Sequence, residues 1–218
     1  MEVKIIYENT DFIVCEKPTG MLTLPSESDE KSLIDIISEQ IGKKLLYPVH
    51  RLDRMTGGLV VFAKHKRAAS ELSVIFAEHK NEKQYFCVVH GIPEKEERSY
   101  TDLLFADKKA NKAYITDKAR KGVKEARLSY RLLQTRRHKE KEISLLEVSL
   151  YTGRMHQIRA QLSHHGHPLL GDGKYGSKEN SCSVALHAYR LAFSYNGDFE
   201  FFSHPSEDFP WCLFEIKR

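Results

Sequence analysis

The feature that most constrains the fold is an uninterrupted apolar run, Leu59-Val60-Val61-Phe62-Ala63, preceded by two adjacent glycines. A run of β-branched and aromatic residues of this length predicts a strand that is buried on both faces. The chain just before it is charged and reads His50-Arg51-Leu52-Asp53-Arg54. We therefore predict that Asp53 lies in a polar loop at the end of a core strand, where catalytic groups are often placed. An aspartate can also simply cap a turn there, and this stretch alone leaves both possibilities open.

Composition is that of a globular protein. The 218 residues are 41% hydrophobic, and no apolar run is long enough to cross a bilayer. The N-terminus lacks the layout of a signal peptide, and no linker or repeat divides the chain. We expect a single domain over residues 1–218 and a cytoplasmic location. The four cysteines are far apart and form no C-x-x-C pair, which favours buried free thiols: Cys15, Cys87, Cys182 and Cys212.

Alternating strand and helix patterns predict a chain of mixed secondary structure. Short strands are expected at Val3–Tyr7 and Phe12–Cys15, and a helical apolar stripe ends at Gly42. A second helix is expected from Arg67 to His79. The stretch Lys83–Gly91 reads as another strand, and it carries Tyr85. Later strands are expected at residues 113–116, 126–133, 143–150 and 185–193.

The segment Thr152–Gly166, TGRMHQIRAQLSHHG, is the second informative stretch. Thr152 is a plausible N-cap and Gly166 a plausible stop, so one helix over the whole segment is expected. Helical spacing then places Arg159 on the apolar face, with Arg154, Gln157 and Gln161 pointing elsewhere. An arginine directed into a core is costly unless a carboxylate meets it. The alternative is that Arg159 extends its charged end to solvent.

Basic residues crowd residues 108–141, although the net charge of the chain is only +4. Few acids interrupt this block, so a polyanion is the expected partner, and nucleic acid is the first candidate. The other interpretation is a solvated surface balanced by acids elsewhere. The histidine-rich segment His164–His167 also raises the question of a metal site. Its histidines do not share a helix face and no H-E-x-x-H motif is present, so we expect none.

Asp53, Tyr85 and Arg159 can be combined into one chemical hypothesis. A carboxylate beside a guanidinium stays ionised, and it can attack or stabilise an electron-poor carbon such as a sugar anomeric carbon. A glycosidase would need a second carboxyl group as general acid, and none stands out. A single carboxylate could suffice if the leaving group departs as a stabilised anion, as uracil can. Cleavage of the glycosidic bond of a uridine would fit this set.

The motifs HRLDRMTGG, KQY at 83–85, TGRMHQIRAQL and ALHAYRL together resemble those of the RluA-type pseudouridine synthases. The resemblance covers nearly the whole chain. It implies an α+β fold with a mixed, largely antiparallel central sheet, flanking helices and an active-site cleft. It also implies cofactor-free and metal-free isomerisation of uridine to pseudouridine in structured ribosomal or transfer RNA.

By the same resemblance, Asp53 is the catalytic aspartate, Tyr85 packs on the target base and Arg159 pairs with Asp53. Arg51 is the residue expected to enter the space left by the flipped nucleotide. The full set of residues expected to contact RNA is Arg51, His50, Arg54, Thr56, Arg154, His156, Gln157 and Lys174.

This chain departs from the family in two respects. Met55-Thr56-Gly57 stands where the family more often has a polar residue followed by Thr-Ser. Many relatives carry a separate N-terminal RNA-binding module, and we expect none here, because the first predicted strand starts at Val3. RNA selection is therefore expected to come from the catalytic domain, with the protein acting as a monomer.

Two other functions remain open at this point. The first is an RNA-binding protein of the same fold without activity. The second is a metal-dependent nuclease or hydrolase that uses His164, His165, His167 and Asp172.

Overall fold

The structure, a computed structural model, describes residues 2–27, 30–43 and 45–216. The chain divides into two compact units. Unit 1 comprises Met1–Glu82 and Ala188–Pro205, and unit 2 comprises Lys83–His187 and Ser206–Arg218. Within the described ranges, no helix is long and apolar enough to span a membrane.

The regular elements are mostly strands. The helices are α1 (Leu33–Gln40), α2 (Lys66–Ala77) and α3 (Gln157–His164), and short 3-10 turns occur at Gly173–Tyr175 and Trp211–Leu213. The strands are β1 (Ile5–Glu8), β2 (Phe12–Lys17), β3 (Tyr47–Pro48), β4 (Gly57–Ala63), β5 (Asn81–His90), β6 (Glu97–Asp107), β7 (Lys112–Ile115), β8 (Val123–His138), β9 (Lys141–Leu150), β10 (Leu186–Ser194) and β11 (Asp198–Phe202).

Unit 1 is built around β4, which is buried along its whole length. β4 pairs antiparallel with β2, from Phe12 opposite Ala63 to Lys17 opposite Gly58. Helix α2 covers one face of these strands, because Ala68, Leu72 and Phe76 recur at helical spacing and join the core of β2 and β4. The sheet therefore holds both ends of the segment between β3 and β4, which contains Asp53.

The strands of unit 2 pair antiparallel in the order β5-β9-β8-β6-β7. Helix α3 packs on β6 and β7, where Ala160 and Tyr175 contact a core formed by Leu104, Ala113 and Ala126. Alanines at these positions allow the helix backbone to approach the sheet closely. The charged side chain of Arg159 is thereby brought to the inside of the unit.

Most predicted elements are confirmed, including the buried strand at residues 59–63 and the helices that end near Gly42 and His79. The helix expected from Thr152 is wrong at its start, since α3 begins at Gln157 and Thr152 lies in the preceding turn. The expected orientation of Gln157 and Gln161 is also wrong. Both side chains are buried, because α3 is enclosed and the nitrogen of each amide finds an acceptor. Strands β3, β6 and β11 were not predicted, and of the four free cysteines only Cys15 and Cys87 are buried.

Gly58 offers a direct test of the close packing beside β4. Its φ is +109°, and a Cβ there would lie 2.2 Å from the backbone oxygen of Ala188. We expect Gly58→Ala to lower the free energy of unfolding by about 3 kcal/mol or more. The added methyl group would clash with backbone atoms, which cannot move aside as a flexible side chain can. Gly42 also has a positive φ but no atom within 4 Å, so Gly42→Ala should cost only about 1 kcal/mol. Urea unfolding of both variants measures the difference, and equal costs would contradict the proposed backbone clash.

Candidate active site

The loop that carries Asp53 is tied to the rest of unit 1 by its backbone. The Thr56 amide donates to the Asp53 carbonyl at 3.0 Å, closing a tight turn. Thr23 holds the preceding residue from both sides, since its hydroxyl donates to the Leu52 oxygen at 2.8 Å and accepts from the Leu52 amide at 3.3 Å. The Asp53 side chain is half-buried. A loop fixed in this way can present a carboxylate in a defined direction.

A buried lysine lies beneath this loop. Lys17 is only 1% exposed, and its Nζ donates to the carbonyls of Pro18, Met21 and Arg54 at 2.9, 2.7 and 3.0 Å. Three carbonyl acceptors match the three N–H groups of an ammonium. Burial lowers the pKa of Lys17 to about 7, which the negative charge of Asp53 opposes and the positive charge of Arg54 reinforces. The lysine therefore connects the end of β2 to the segment that carries Asp53.

The other predicted RNA-contacting residues of this loop lie in different surroundings. Arg51 is exposed, and within the described part of the chain it makes no hydrogen bond or ion pair. Arg54 is exposed and pairs with Glu30. His50 is half-buried, stacks on Phe76 and accepts a hydrogen bond from the Val61 amide at 3.1 Å.

Thr56 is the last of the predicted RNA-contacting residues in the loop of Asp53, and it is 3% exposed. For Thr56, a contact with RNA would require the side chain to become exposed first. Arg51 and Arg54 are the side chains of this loop that already reach the surface.

In unit 2, Tyr85 and Lys83 lie two residues apart on β5, so both project from the same face of the strand. Tyr85 is 6% exposed and opposes Val148 of β9. Burial lowers the pKa of Lys83 to about 8. This face of β5 therefore presents an aromatic ring with a partly buried amine next to it.

Arg159 is buried and engaged by a carboxylate, as the sequence required of an inward arginine. Its exposure is 4%, and Nε and Nη2 donate to the two oxygens of Asp172 at 2.7 and 2.8 Å. Asp172 is 1% exposed, and the guanidinium carbon lies 5.0 Å from the centre of the Tyr175 ring. A two-point contact fixes the plane of the guanidinium as well as its position. The predicted pairing of Arg159 with Asp53, which belongs to the other unit, stays a prediction.

The turn before α3 is held by side-chain hydrogen bonds. The Thr152 hydroxyl donates to Gln157 Oε1 at 2.8 Å, and the Arg154 amide donates to the same oxygen at 3.0 Å. Gln157 Nε2 in turn donates to the Arg127 carbonyl on β8. His156 adopts the left-handed conformation with φ of 51°, which ends the turn and starts the helix. Gln157 thus fixes the start of α3 to the sheet.

The remaining predicted RNA contacts in unit 2 differ in exposure. Lys174 is exposed, and Arg154 is half-exposed with its Nε on the Glu125 carbonyl. His156 and Gln157 are 7% and 3% exposed. Like Thr56, these two would have to become exposed before they could contact RNA.

The residues considered for a metal site have other partners. Both oxygens of Asp172 accept from Arg159, and His165 Nε2 lies 3.1 Å from Asp102 Oδ2 while its ring stacks on Tyr100. In residues 2–27, 30–43 and 45–216, no group of three or more His, Cys, Asp or Glu side chains could hold a metal ion.

Three residues that hold the predicted catalytic segments in place, each within its own unit, were not identified from the sequence: Lys17, Asp172 and Tyr175. A lysine directly before Pro-Thr-Gly reads as the end of a strand, so its burial gives no local signal. Asp172 and Tyr175 lie in a tight glycine-rich loop, Gly171–Gly176, where both residue types are common. The signal that could have found Asp172 was the need of Arg159 for a buried carboxylate.

Comparisons with known proteins show the family to which the chain is similar. The sequence profile described as RNA pseudouridylate synthase matches residues 11–164. An uncharacterized RNA pseudouridine synthase of Haemophilus influenzae is 30% identical over 210 residues, 91% of this chain and 85% of that protein. A tRNA pseudouridine synthase C of Vibrio parahaemolyticus is 34% identical over 213 residues, 88% of this chain and 85% of that protein.

The fold comparison supports the predicted α+β class. The structure of human RNA Pseudouridylate Synthase Domain Containing 1 has a TM-score of 0.81 at 22% identity, covering 96% of this chain and 85% of that one. A second human protein, RNA Pseudouridylate Synthase Domain Containing 4, has a TM-score of 0.76 at 20% identity, covering 92% and 88%. The predicted fold class is therefore confirmed.

The lowered pKa of Lys17 predicts how stability depends on pH. Its folded pKa is about 7 and its ordinary value is 10.5, so between these values the folded chain binds fewer protons than the unfolded chain. The free energy of unfolding should therefore rise with pH over this interval, and this added stability is lost as pH falls toward 7. The variant Lys17→Met lacks this group and should reduce the rise by about 1 kcal/mol or more. Each unit of difference between the folded and unfolded pKa corresponds to about 1.4 kcal/mol.

Urea unfolding of wild type and variant at the two ends of the interval measures this slope. Lys31 is an exposed lysine of the same unit, with 63% of its side chain accessible, and it supplies the control. Lys31→Met should keep the wild-type slope. An unchanged slope in Lys17→Met would show that the folded protein does not disfavour the charged lysine.

Proposed function

The chain belongs to the RNA pseudouridylate synthases of RluA type, and from this premise we propose that Asp53, Tyr85 and Arg159 form the site at which it converts uridine to pseudouridine in structured RNA. The observation that carries the proposal is the family match over residues 11–164, which includes all three residues. The enzyme is an isomerase. Its expected surroundings are the cytoplasm, and its expected form is a monomer.

The reaction rearranges bonds without changing the composition of the nucleotide. The bond between N1 of the base and C1′ of the ribose breaks, the base turns while confined, and C5 then bonds to C1′. C5 loses its proton and N1 gains one, so no oxidant or reductant is consumed. Asp53 could bond to the sugar, bond to the base or remove a sugar proton, and each role needs the ionised carboxylate. Tyr85 is 6% exposed, so its ring must first become accessible; it then receives the base, because an extruded base can stack on an aromatic side chain.

Arg159 supplies fixed positive charge to this chemistry. Its guanidinium is held at two points by Asp172 and lies over Tyr175, so it needs little reorganisation during the reaction. A protein that only binds RNA has no need for a buried ion pair of this kind, which in general adds little to stability. This argues against the RNA-binding protein without activity.

The RNA backbone is proposed to bind along the β6–β7 hairpin and the segment that follows it. Lys108 and Lys109 lie exposed in the turn between the two strands. Two further cations lie over aromatic rings, Lys112 at 5.5 Å from the Tyr114 centroid and Arg120 at 4.8 Å from the centroid of Phe105. Cations interleaved with aromatic side chains suit the phosphates and bases of unpaired RNA.

Transfer RNA is the substrate that we propose first. Several relatives named tRNA pseudouridine synthase C share 30–34% identity with this chain, and the four from Vibrio parahaemolyticus, Haemophilus ducreyi, Pasteurella multocida and Vibrio vulnificus are each matched over 84–87% of their length. The uridine would be extruded at a cost of a few kcal/mol, which is least in a loop or bulge. Ribosomal RNA is the other substrate class to test.

Asp53→Asn is the decisive test of the catalytic assignment. The change keeps the shape of the side chain and removes its charge, so we expect no detectable pseudouridine while affinity for RNA stays within a few-fold. Pseudouridine is mapped in transfer and ribosomal RNA from a strain that lacks the gene, complemented with wild type or variant. Glu39→Gln, an exposed acid on α1, is the charge-matched control and should restore modification fully. Wild-type modification by Asp53→Asn would refute the assignment.

The proposed RNA surface predicts a change in salt dependence. Replacing Lys108 and Lys109 by alanine should weaken RNA binding and make the slope of log affinity against log salt shallower by about 1 to 2, since each lost phosphate contact contributes about 0.7 to 0.9. Filter binding of a transfer RNA transcript over a salt series measures the slope. The control replaces two exposed lysines of unit 1, Lys4 and Lys31, and should leave the slope unchanged. A slope equal to wild type in the hairpin variant would remove this surface from the proposal.

A further inference from the structure

The loop Gly171–Gly176 contacts both Arg159 and the β6–β7 hairpin. The proposed function assigns the first to catalysis and the second to RNA binding. One end supplies Asp172, whose two carboxylate oxygens hold Arg159. The other supplies Tyr175, which is 7% exposed and lies under the guanidinium of Arg159. The two residues are also joined to each other, since the Tyr175 amide donates to the Asp172 carbonyl at 3.0 Å. The orientation of Arg159 therefore depends on where this loop lies.

The Tyr175 hydroxyl reaches away from Arg159 to the hairpin proposed to bind RNA. The backbone amide of Ala113, on β7, donates to Tyr175 Oη at 2.8 Å. His156 Nδ1 lies 3.0 Å from the same oxygen. A hydroxyl that accepts from an amide can still donate its own proton, so the Tyr175 O–H donates to Nδ1 when His156 is neutral with its proton on Nε2. One hydroxyl thus connects β7 to His156, the residue directly before helix α3.

Two further contacts fix the hairpin to this loop. Lys112 Nζ lies 5.4 Å from the centre of the Tyr175 ring, and Lys174 Nζ donates to the Asn111 carbonyl at 2.9 Å. Three consecutive hairpin residues, 111 to 113, therefore contact two adjacent residues within the loop, Lys174 and Tyr175. They follow Lys108 and Lys109 after one intervening residue, Ala110. A displacement of the hairpin would move the same ring against which Arg159 rests.

We propose that Tyr175 is a positioning residue for the isomerisation, which couples the seating of RNA on the β6–β7 hairpin to the orientation of Arg159. The proposal rests on the proposed function, because it concerns how the same site is brought into its reactive arrangement. The path runs from the hairpin through the Tyr175 hydroxyl and ring to the guanidinium. Binding energy gained far from the reacting bond is in this way used to place a charged group, which affects kcat more than affinity.

Tyr175→Phe tests the coupling. Phenylalanine keeps the ring against Arg159 and Lys112 and removes the hydroxyl that contacts Ala113 and His156. We expect kcat at saturating RNA to fall about tenfold with KM nearly unchanged, because a small misplacement of a catalytic group is costly. Tyr151→Phe is the matched control. Its hydroxyl contacts Ser129 on the sheet and is outside the proposed path, so its kcat should equal that of wild type.

The hairpin variant gives a second and independent measurement. If the coupling exists, replacing Lys108 and Lys109 by alanine lowers kcat as well as raising KM in the wild-type background. In the Tyr175→Phe background the same replacement should raise KM alone, so the two effects on kcat do not multiply. Circular dichroism and thermal unfolding of each variant confirm that the fold is kept.

The results that would contradict the coupling differ from those that would contradict the proposed function. Wild-type kcat in Tyr175→Phe, or effects on kcat that multiply independently, overturns the coupling and leaves the proposed function intact. A hairpin variant that changes KM alone in the wild-type background overturns it as well. Absence of pseudouridine formation by the wild-type protein from any transfer or ribosomal RNA transcript refutes the proposed function itself.

Discussion

The ion pair between Arg159 and Asp172 is the interaction on which the interior of unit 2 depends. A guanidinium that is 4% exposed is tolerated only because a carboxylate meets it at two points. This requirement shapes the backbone around it. Gly171 has a φ of +75°, and a Cβ there would lie 2.3 Å from the carbonyl oxygen of Ser183. The loop can therefore place Asp172 beneath α3 only because residue 171 lacks a side chain.

Unit 1 accommodates a buried cation by different means. Lys17 has no carboxylate at hydrogen-bond distance among its described contacts, and three backbone carbonyls surround its amine instead. Carbonyl dipoles stabilise an ammonium less than a full negative charge does, and burial accordingly lowers the pKa of Lys17 to about 7. The two solutions suit two tasks. Carbonyls from three places along the chain let one side chain hold a loop together, whereas a bidentate carboxylate fixes the plane of one functional group.

The sequence predicted those features that are local or repeated, and it did not predict those that depend on distant partners. Strand β4 followed from a run of apolar residues and helix α2 from apolar residues at helical spacing, and the fold class followed from the family resemblance of four motifs in order. The predicted start of α3 at Thr152 was wrong because its hydroxyl donates to Gln157 and accepts from the Arg127 amide on β8, which is 25 residues away in sequence. Strand β6 was missed since most of its first half is exposed and polar, and such a pattern does not alternate. The need of Arg159 for a carboxylate was foreseen, whereas Asp172 as that carboxylate was not.

These partners also explain why so many polar groups lie inside a small protein. An isomerisation that rearranges one glycosidic bond must stabilise charge that appears briefly on the ribose and the base. Polar groups do this best when they are fixed beforehand, because they then need not reorient as the charge develops. Each unit fixes its own contribution during folding: Lys17 and Thr23 set the loop of Asp53, and Asp172 and Tyr175 set Arg159. The departures from a purely apolar core therefore lie next to the proposed chemistry, which is where local rules are expected to be broken.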